Sequence, residues 1–330
     1  MKLKEDYFRI KSLNFIVLTV LWFFYSCGDG DKVNKDIAKI DIDLKIVRFD
    51  KEFAKASPLD IPLLKKTYPY LFPVQYTDSV WEAKLVDTLQ LEIREEVDKT
   101  FIDFKDETAD LEQLFKRIKY FFPNLNVPKV ITLTNDVDYN NRVVFADTLL
   151  FIGLDNYLGH GHRFYAGMQN YIASGLDRQF LISDVAGEFA RKVISRPKDR
   201  SFLSQLVYHG KELFIKDKLI PFETDAQKMG YSEDQLAWAQ ANEQQIWRYF
   251  IERELLYSTD AKLAPRFLDP APFSKFRLEL DNESPGGVGR YIGWQIVRAF
   301  MANNNLSLQQ MLNLRADEIF KKANYKPKKE

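Results

Sequence analysis

The sequence predicts an α+β fold, a small mixed sheet followed by a predominantly helical half. Three observations carry this. Strand-like segments concentrate before about residue 155 and helical ones after it, the segregation expected when helices pack beside a small sheet. The 13 Pro and 14 Gly are scattered, with no internal repeat and no dividing linker, so one large unit, or two closely packed lobes, fits. The 26 Phe, 16 Tyr and 5 Trp suffice for a substantial core.

The elements follow in order. From Ile40 to Phe49, Ile40, Ile42, Leu44 and Ile46 alternate with Asp41, Asp43 and Lys45, which reads as a half-buried strand. Short helices are expected near Asp50 to Ala56 and Pro62 to Tyr68. Thr88 to Phe101 places Leu89, Ile93 and Val97 four apart, a helical spacing. Ala109 to Phe122 repeats it with Leu111, Leu114, Phe115 and Ile118, and Pro123 stops the helix. Lys129 to Thr134 and Val143 to Phe151 read as strands, the second rich in branched and aromatic residues. Ser183 to Ile194 and Phe202 to Asp217 read as helices. Ser232 and Gln235 form a capping-box pattern opening a long helix to about Ser258. Val288 to Ala302 is an apolar helix, and Ser307 and Gln310 open one more.

The N-terminus has a layout of its own. Lys2, Lys4, Arg9 and Lys11 precede an 11-residue apolar run, Phe15 to Tyr25; Ser26 and then Cys27, the single cysteine, follow. A cationic start, a short apolar core and a small residue before cysteine make a bacterial lipoprotein signal peptide. A spanning helix needs about 20 apolar residues. The alternative is an ordinary buried cysteine after a short anchor. The reading divides the chain into a signal peptide (1–26), a lipidated flexible tether (27–37) and an α+β unit (38–330). Two or more acyl chains on Cys27 give stable anchoring where one gives only marginal binding.

Composition excludes several function classes. Without residues 1–26 the chain holds 43 Lys and Arg against 45 Asp and Glu, so no cationic excess points to nucleic acid. With Cys27 lipidated there is no disulfide, cysteine zinc site or thiol nucleophile. Lys321, Lys322, Lys326, Lys328 and Lys329 read as a solvated end. Pro285-Gly286-Gly287-Val288-Gly289 lacks the residues of a phosphate loop, so its glycines are expected to let a helix start pack tightly. Tyr249, Phe250, Phe267, Phe273 and Phe276, like Trp238, Trp247 and Trp294, read first as core.

One set of acidic residues has the spacing of a metal site. Asp184 and Glu188 are four apart on one helical face, and Glu212 follows 24 residues later. Helix-based zinc proteases place two histidines four apart with a catalytic Glu beside the first, and take a third ligand from a later helix. Here Asp184 and Glu188 stand at the two ligand positions and Val185 stands where the base belongs. Carboxylates favour hard cations over zinc. Without the Glu, no side chain deprotonates a metal-bound water. The alternative is a pair of solvated helix-face carboxylates. His160-Gly161-His162 is expected in a flexible loop, and His209 beside Glu212 in a structural contact.

Several longer stretches carry a resemblance. Ser284-Pro285-Gly286-Gly287-Val288-Gly289-Arg290-Tyr291-Ile292-Gly293-Trp294-Gln295-Ile296-Val297-Arg298 is similar to the gliding motility lipoprotein GldB family of Bacteroidetes. So are Trp247-Arg248-Tyr249-Phe250, Ala271-Pro272-Phe273-Ser274-Lys275-Phe276, Tyr208-His209-Gly210-Lys211-Glu212 and Gly153-Leu154-Asp155-Asn156-Tyr157-Leu158-Gly159. The resemblance implies an outer-membrane lipoprotein, facing periplasm or cell surface, required for gliding motility. It implies protein partners in the motility or secretion machinery, and no cofactor. A more distant similarity reaches zincin-like metallopeptidases, and implies a degenerate zincin-like architecture without catalytic residues. Asp184, Glu188 and Glu212 would be its vestigial metal-ligand positions. The alternative is a metal-dependent hydrolase using those three carboxylates.

Overall fold

The computed structural model describes residues 29–279 and 281–328. The expected signal peptide and Cys27 lie outside the described residues. The chain divides into two units, Met1–Ile42 and Asp43–Glu330. In the first, helix α1 covers Asp29–Ala38, where the sequence reading has most of the flexible tether. Val33 and Ile37 are four apart there, and Lys35 sits in the last turn, where the helix dipole favours a cation. No helix among the described residues is long and apolar enough to cross a membrane.

The second unit is the α+β body. Its first half runs β1 (Ile46–Arg48), α2 (Phe49–Lys55), α3 (Ile61–Thr67), α4 (Asp78–Val86), α5 (Thr88–Thr100), α6 (Lys105–Phe121), β2 (Lys129–Leu133), β3 (Val143–Ala146) and β4 (Leu149–Gly153). The sheet order is β1-β2-β4-β3, with β1, β2 and β4 parallel and β3 antiparallel at the edge. Val130, Ile131 and Thr132 of central β2 are fully buried. Alternation sends Val47, Ile131 and Phe151, which are in register, toward Phe49, Phe53, Ile61, Tyr68 and Phe72.

Two strand readings change. The first strand is only Ile46–Arg48, because alternation alone gives residues 40–45 no neighbouring strand. The expected single strand from Val143 to Phe151 is a hairpin, with Asp147 at φ 53° between β3 and β4. Aspartate tolerates this left-handed conformation better than most residues, and the branched residues on both sides hide the turn from a pattern reading.

The second half is helical: α7 (Asn170–Ala173), α8 (Leu181–Val193), α9 (Phe202–Leu219), α10 (Asp225–Met229), α11 (Glu233–Ala241), α12 (Glu243–Glu252), α13 (Leu263–Phe267), α14 (Val288–Asn303), α15 (Leu308–Asn313) and α16 (Ala316–Ala323). The Ser232/Gln235 capping box opens α11. The long helix expected behind it breaks at Asn242, whose Nδ2 donates to Trp238 O at 2.9 Å as α12 begins. Such local side-chain bonds compete with helix propagation.

Helix α9 is buried around nearly its whole circumference, as a central helix must be. It crosses α14 at glycines. A Cβ on Gly293 would overlap Leu206 O, and one on Gly210 would overlap Gly293 O. Beside this crossing Arg298 grips Asp217 (2.7 and 2.8 Å) and Asp225 (2.7 and 2.9 Å), while its guanidinium stacks 3.6 Å from the Trp294 ring.

A buried carboxylate ties down the last described residues. Glu243 accepts from Tyr291 Oη (2.8 Å), Tyr325 Oη (2.9 Å) and Lys328 N (3.2 Å). Glu243→Ala removes the acceptor for three donors, the buried Tyr291 hydroxyl among them, so it is expected to cost about 2 kcal/mol. Limited proteolysis should then cut after α16 faster than in the parent. An unchanged cleavage rate there counts against this latch.

Candidate functional site

A cleft of about 380 Å³ opens between α8, α9, the loop 268–271 and the start of α14. Its lip includes Tyr139, Asn140 and Arg142 from just ahead of β3, and Tyr171 from α7. Asp184 and Glu188 of α8 and Glu212 of α9 all line it. The three carboxylates singled out by spacing therefore share one cavity.

Arginines hold each of them. Arg142 forks onto Asp184 through Nε (2.6 Å) and Nη2 (2.9 Å), and Tyr157 Oη donates to the same carboxylate at 2.9 Å. Tyr157 is fully buried, and its hydroxyl is held protonated well above the ordinary tyrosine range, first by burial and then by the Asp184 charge. Arg191 spans the other two, donating from Nη1 to Glu212 Oε1 (2.6 Å) and from Nη2 to Glu188 Oε1. Burial alone would raise the Glu212 carboxyl. The facing His209 imidazole, with Arg191, Lys216 and Arg290, outweighs burial and holds it at about 2.

Lys216 reaches the cleft from α9 over the small face of α8. A Cβ on Gly187 would stand 3.1 Å from Lys216 Cε, so the glycine leaves room for the lysine stem. Its ammonium donates to Ser183 Oγ (3.0 Å) and Lys228 O (2.9 Å), and burial pulls it down to about 8. Arg290, two residues into α14, donates through Nε to Leu268 O and also lines the cavity. Among the described residues neither of its Nη nitrogens has a hydrogen-bond or ion-pair partner.

This arrangement does not fit a divalent metal. Among the described residues no three His, Cys, Asp or Glu side chains come together to hold an ion. Asp184 and Glu188 each face a guanidinium, and the buried Lys216 ammonium adds a third positive charge. Val185, at the would-be base position, is fully buried core. The three histidines are dispersed. His160 is exposed and faces Asp177 at 3.9 Å; His162 Nε2 lies 3.4 Å from Glu96; half-buried His209 faces Glu212 at 3.7 Å.

The sequence reading missed the cations. Arg191 lies three residues after Glu188, and Lys216 four after Glu212, so both were available as helical-face partners. Arg142 lies 42 residues from its partner and had no local signal. Arg290 sits inside the Ser284–Arg298 stretch. The same stretch supplies Gly286 and Gly287 to the cleft and Gly293 to the helix crossing. Its glycines thus let the helix start pack tightly, as expected. The Gly153–Gly159 stretch contributes buried Asp155, whose carboxylate takes the amides of Asn135 (3.0 Å) and Val137 (2.7 Å) below the lip. The aromatic stretch is packing: Phe267 meets Phe202, Phe250 and Phe276 at centroid distances of 5.1–5.9 Å.

A search of the curated proteins and a search of the solved structures each find no match. The family model described as gliding motility protein GldB matches residues 30–327, nearly the whole described chain. By that extent of match, the chain belongs to the gliding motility protein GldB family.

Proposed function

We propose that the protein is a lipid-anchored component of the cell envelope that serves gliding motility by binding another protein, not by catalysis. In this reading Cys27 carries the lipid, the outer membrane holds the anchor, and the cleft beside α8 receives a segment of a partner in the motility or secretion machinery. One observation supports it above the rest. The three carboxylates that would make a hydrolase are neutralised in place by Arg142 and Arg191, with apolar Val185 where a base would stand. The cavity has the shape of a site while Asp184, Glu188 and Glu212 are already engaged.

The test is a photo-crosslinking residue at Asn140, on the lip, compared with one at Val74, outside the cleft, in gliding cells. A discrete protein adduct is expected from Asn140 and not from Val74, with Cys27→Ser abolishing both the adduct and gliding. Equal labelling from both positions, or none from Asn140, overturns the interaction reading. Purified chain dialysed against zinc or manganese is expected to retain less than one-tenth equivalent. Stoichiometric retention that is lost in Asp184→Asn favours the metal-dependent hydrolase instead.

A further inference from the structure

Counting which charges of the cleft are already engaged says what it has left to offer. Arg142 is consumed by Asp184, and Arg191 by Glu188 and Glu212. Two cations keep unused donors. Arg290 has committed only Nε, to the carbonyl of Leu268, which fixes its guanidinium and leaves both Nη nitrogens free. Lys216, buried at the cavity wall, uses two of its three N–H donors on Ser183 and Lys228. Gly286 and Gly287, just ahead of α14, line the same pocket, so the positive end of a 16-residue helix dipole adds to it. The one lining carboxylate without a hydrogen bond or ion pair among the described residues is Asp269, which is exposed at the rim. The lining charges balance, but the donors left unused belong to Arg290 and Lys216, and the arginine is anchored in the geometry that takes a planar oxyanion by two parallel bonds.

We infer that Arg290, with Lys216 behind it, is a carboxylate-binding site, and that the segment entering the cleft is led by a carboxylate. The inference rests on the proposed interaction role and specifies its chemistry. Two sources share that chemistry, an acidic side chain and a free chain terminus. Phosphate would meet the same donors, but with the other lining charges paired, exposed Asp269 apart, few donors are left for a second negative charge.

The experiment titrates the full chain, purified in detergent, with three probes. These are N-acetyl-Ala-Ala-Ala with a free terminus, its C-terminal amide, and N-acetyl-Ala-Asp-Ala amide. At least one carboxylate peptide is expected to bind ten-fold or more tighter than the neutral amide. The free-terminus and aspartate peptides tell the two sources apart. Arg290→Gln should remove the preference, and Arg290→Lys, which keeps charge without the fork, should leave only part of it. Thermal melting of both variants shows whether the loop at Leu268 still holds. If Arg290→Gln fails to fold, Arg290→Lys and the wild-type peptide ratios still decide. Equal affinity for the amide and both carboxylate peptides overturns the inference, as does an undiminished preference in folded Arg290→Gln. Inorganic phosphate competing more strongly than acetate, with no peptide preference, overturns it as well. These titrations do not depend on a partner being captured. An adduct at Asn140 that persists in Arg290→Gln, with no carboxylate preference, leaves the interaction role standing and removes this site. A carboxylate preference with no adduct does the reverse.

Discussion

Gly293→Val is expected to lower the melting temperature by about 5 °C. The reason is the crossing of α9 and α14. A Cβ at Gly293 would overlap the carbonyl oxygen of fully buried Leu206, a backbone atom of the central helix. A crowded side chain can rotate away, but here two helices must separate. Overpacking ordinarily costs about 1–3 kcal/mol and more where nothing yields. At about 3 kcal/mol, a unit of about 290 residues loses about 5 °C. Gly161 is the control, since a Cβ there meets nothing within 4 Å. Gly161→Ala should leave stability within about 0.5 kcal/mol of the parent. Thermal melting of the two variants side by side checks both. If Gly293→Val melts within two degrees of the parent, the helices do not approach this closely.

Glu212→Gln is expected to cost about 3 kcal/mol at neutral pH and to flatten the acid side of the stability curve. In the folded chain this carboxyl is held at about 2, against 4.5 in the ordinary glutamate. A carboxyl lowered by folding adds stability that is complete above its unfolded value. That stability is lost as the pH falls from about 4.5 toward 2. The difference between the two values corresponds to about 3 kcal/mol. The amide also takes from buried Lys216 the anion that faces it and from Arg191 one of its two carboxylates. Urea unfolding of parent and variant at pH 7, 4.5 and 3 separates these effects. The gap between them should be widest at pH 7 and should shrink by pH 3. A gap independent of pH means that Glu212 is not ionised in the folded chain.

What could be read without a structure was what is local. The helix α6 shows itself through Leu111, Leu114, Phe115 and Ile118, all buried on one face. The capping boxes at Ser232 and Ser307 mark the helix starts at Glu233 and Leu308 because cap and acceptor lie three residues apart. Helix α4 escaped because its buried face is little more than Leu85, while Val80 and Val86 are exposed, so no stripe forms. The β3–β4 hairpin escaped because one aspartate in an uncommon conformation makes the turn. For the site, helical spacing located Asp184, Glu188 and Glu212 on what proves to be one cavity. Their chemistry was not legible. It is set by Arg142, which arrives from the sheet, and by Arg290, which arrives from a helix that begins 76 residues after Glu212. Only tertiary packing brings those groups together.

The Arg142–Asp184 pair bears on how this chain can evolve. Each partner lies on a different element, and a change to either alone leaves an opposite charge stranded beside buried Tyr157. Relatives should therefore swap or discard the two positions jointly, and substitutions at 142 and 184 should covary down a lineage. The pair at the mouth of the cavity becomes a historical marker: where it is intact, the pocket was inherited whole.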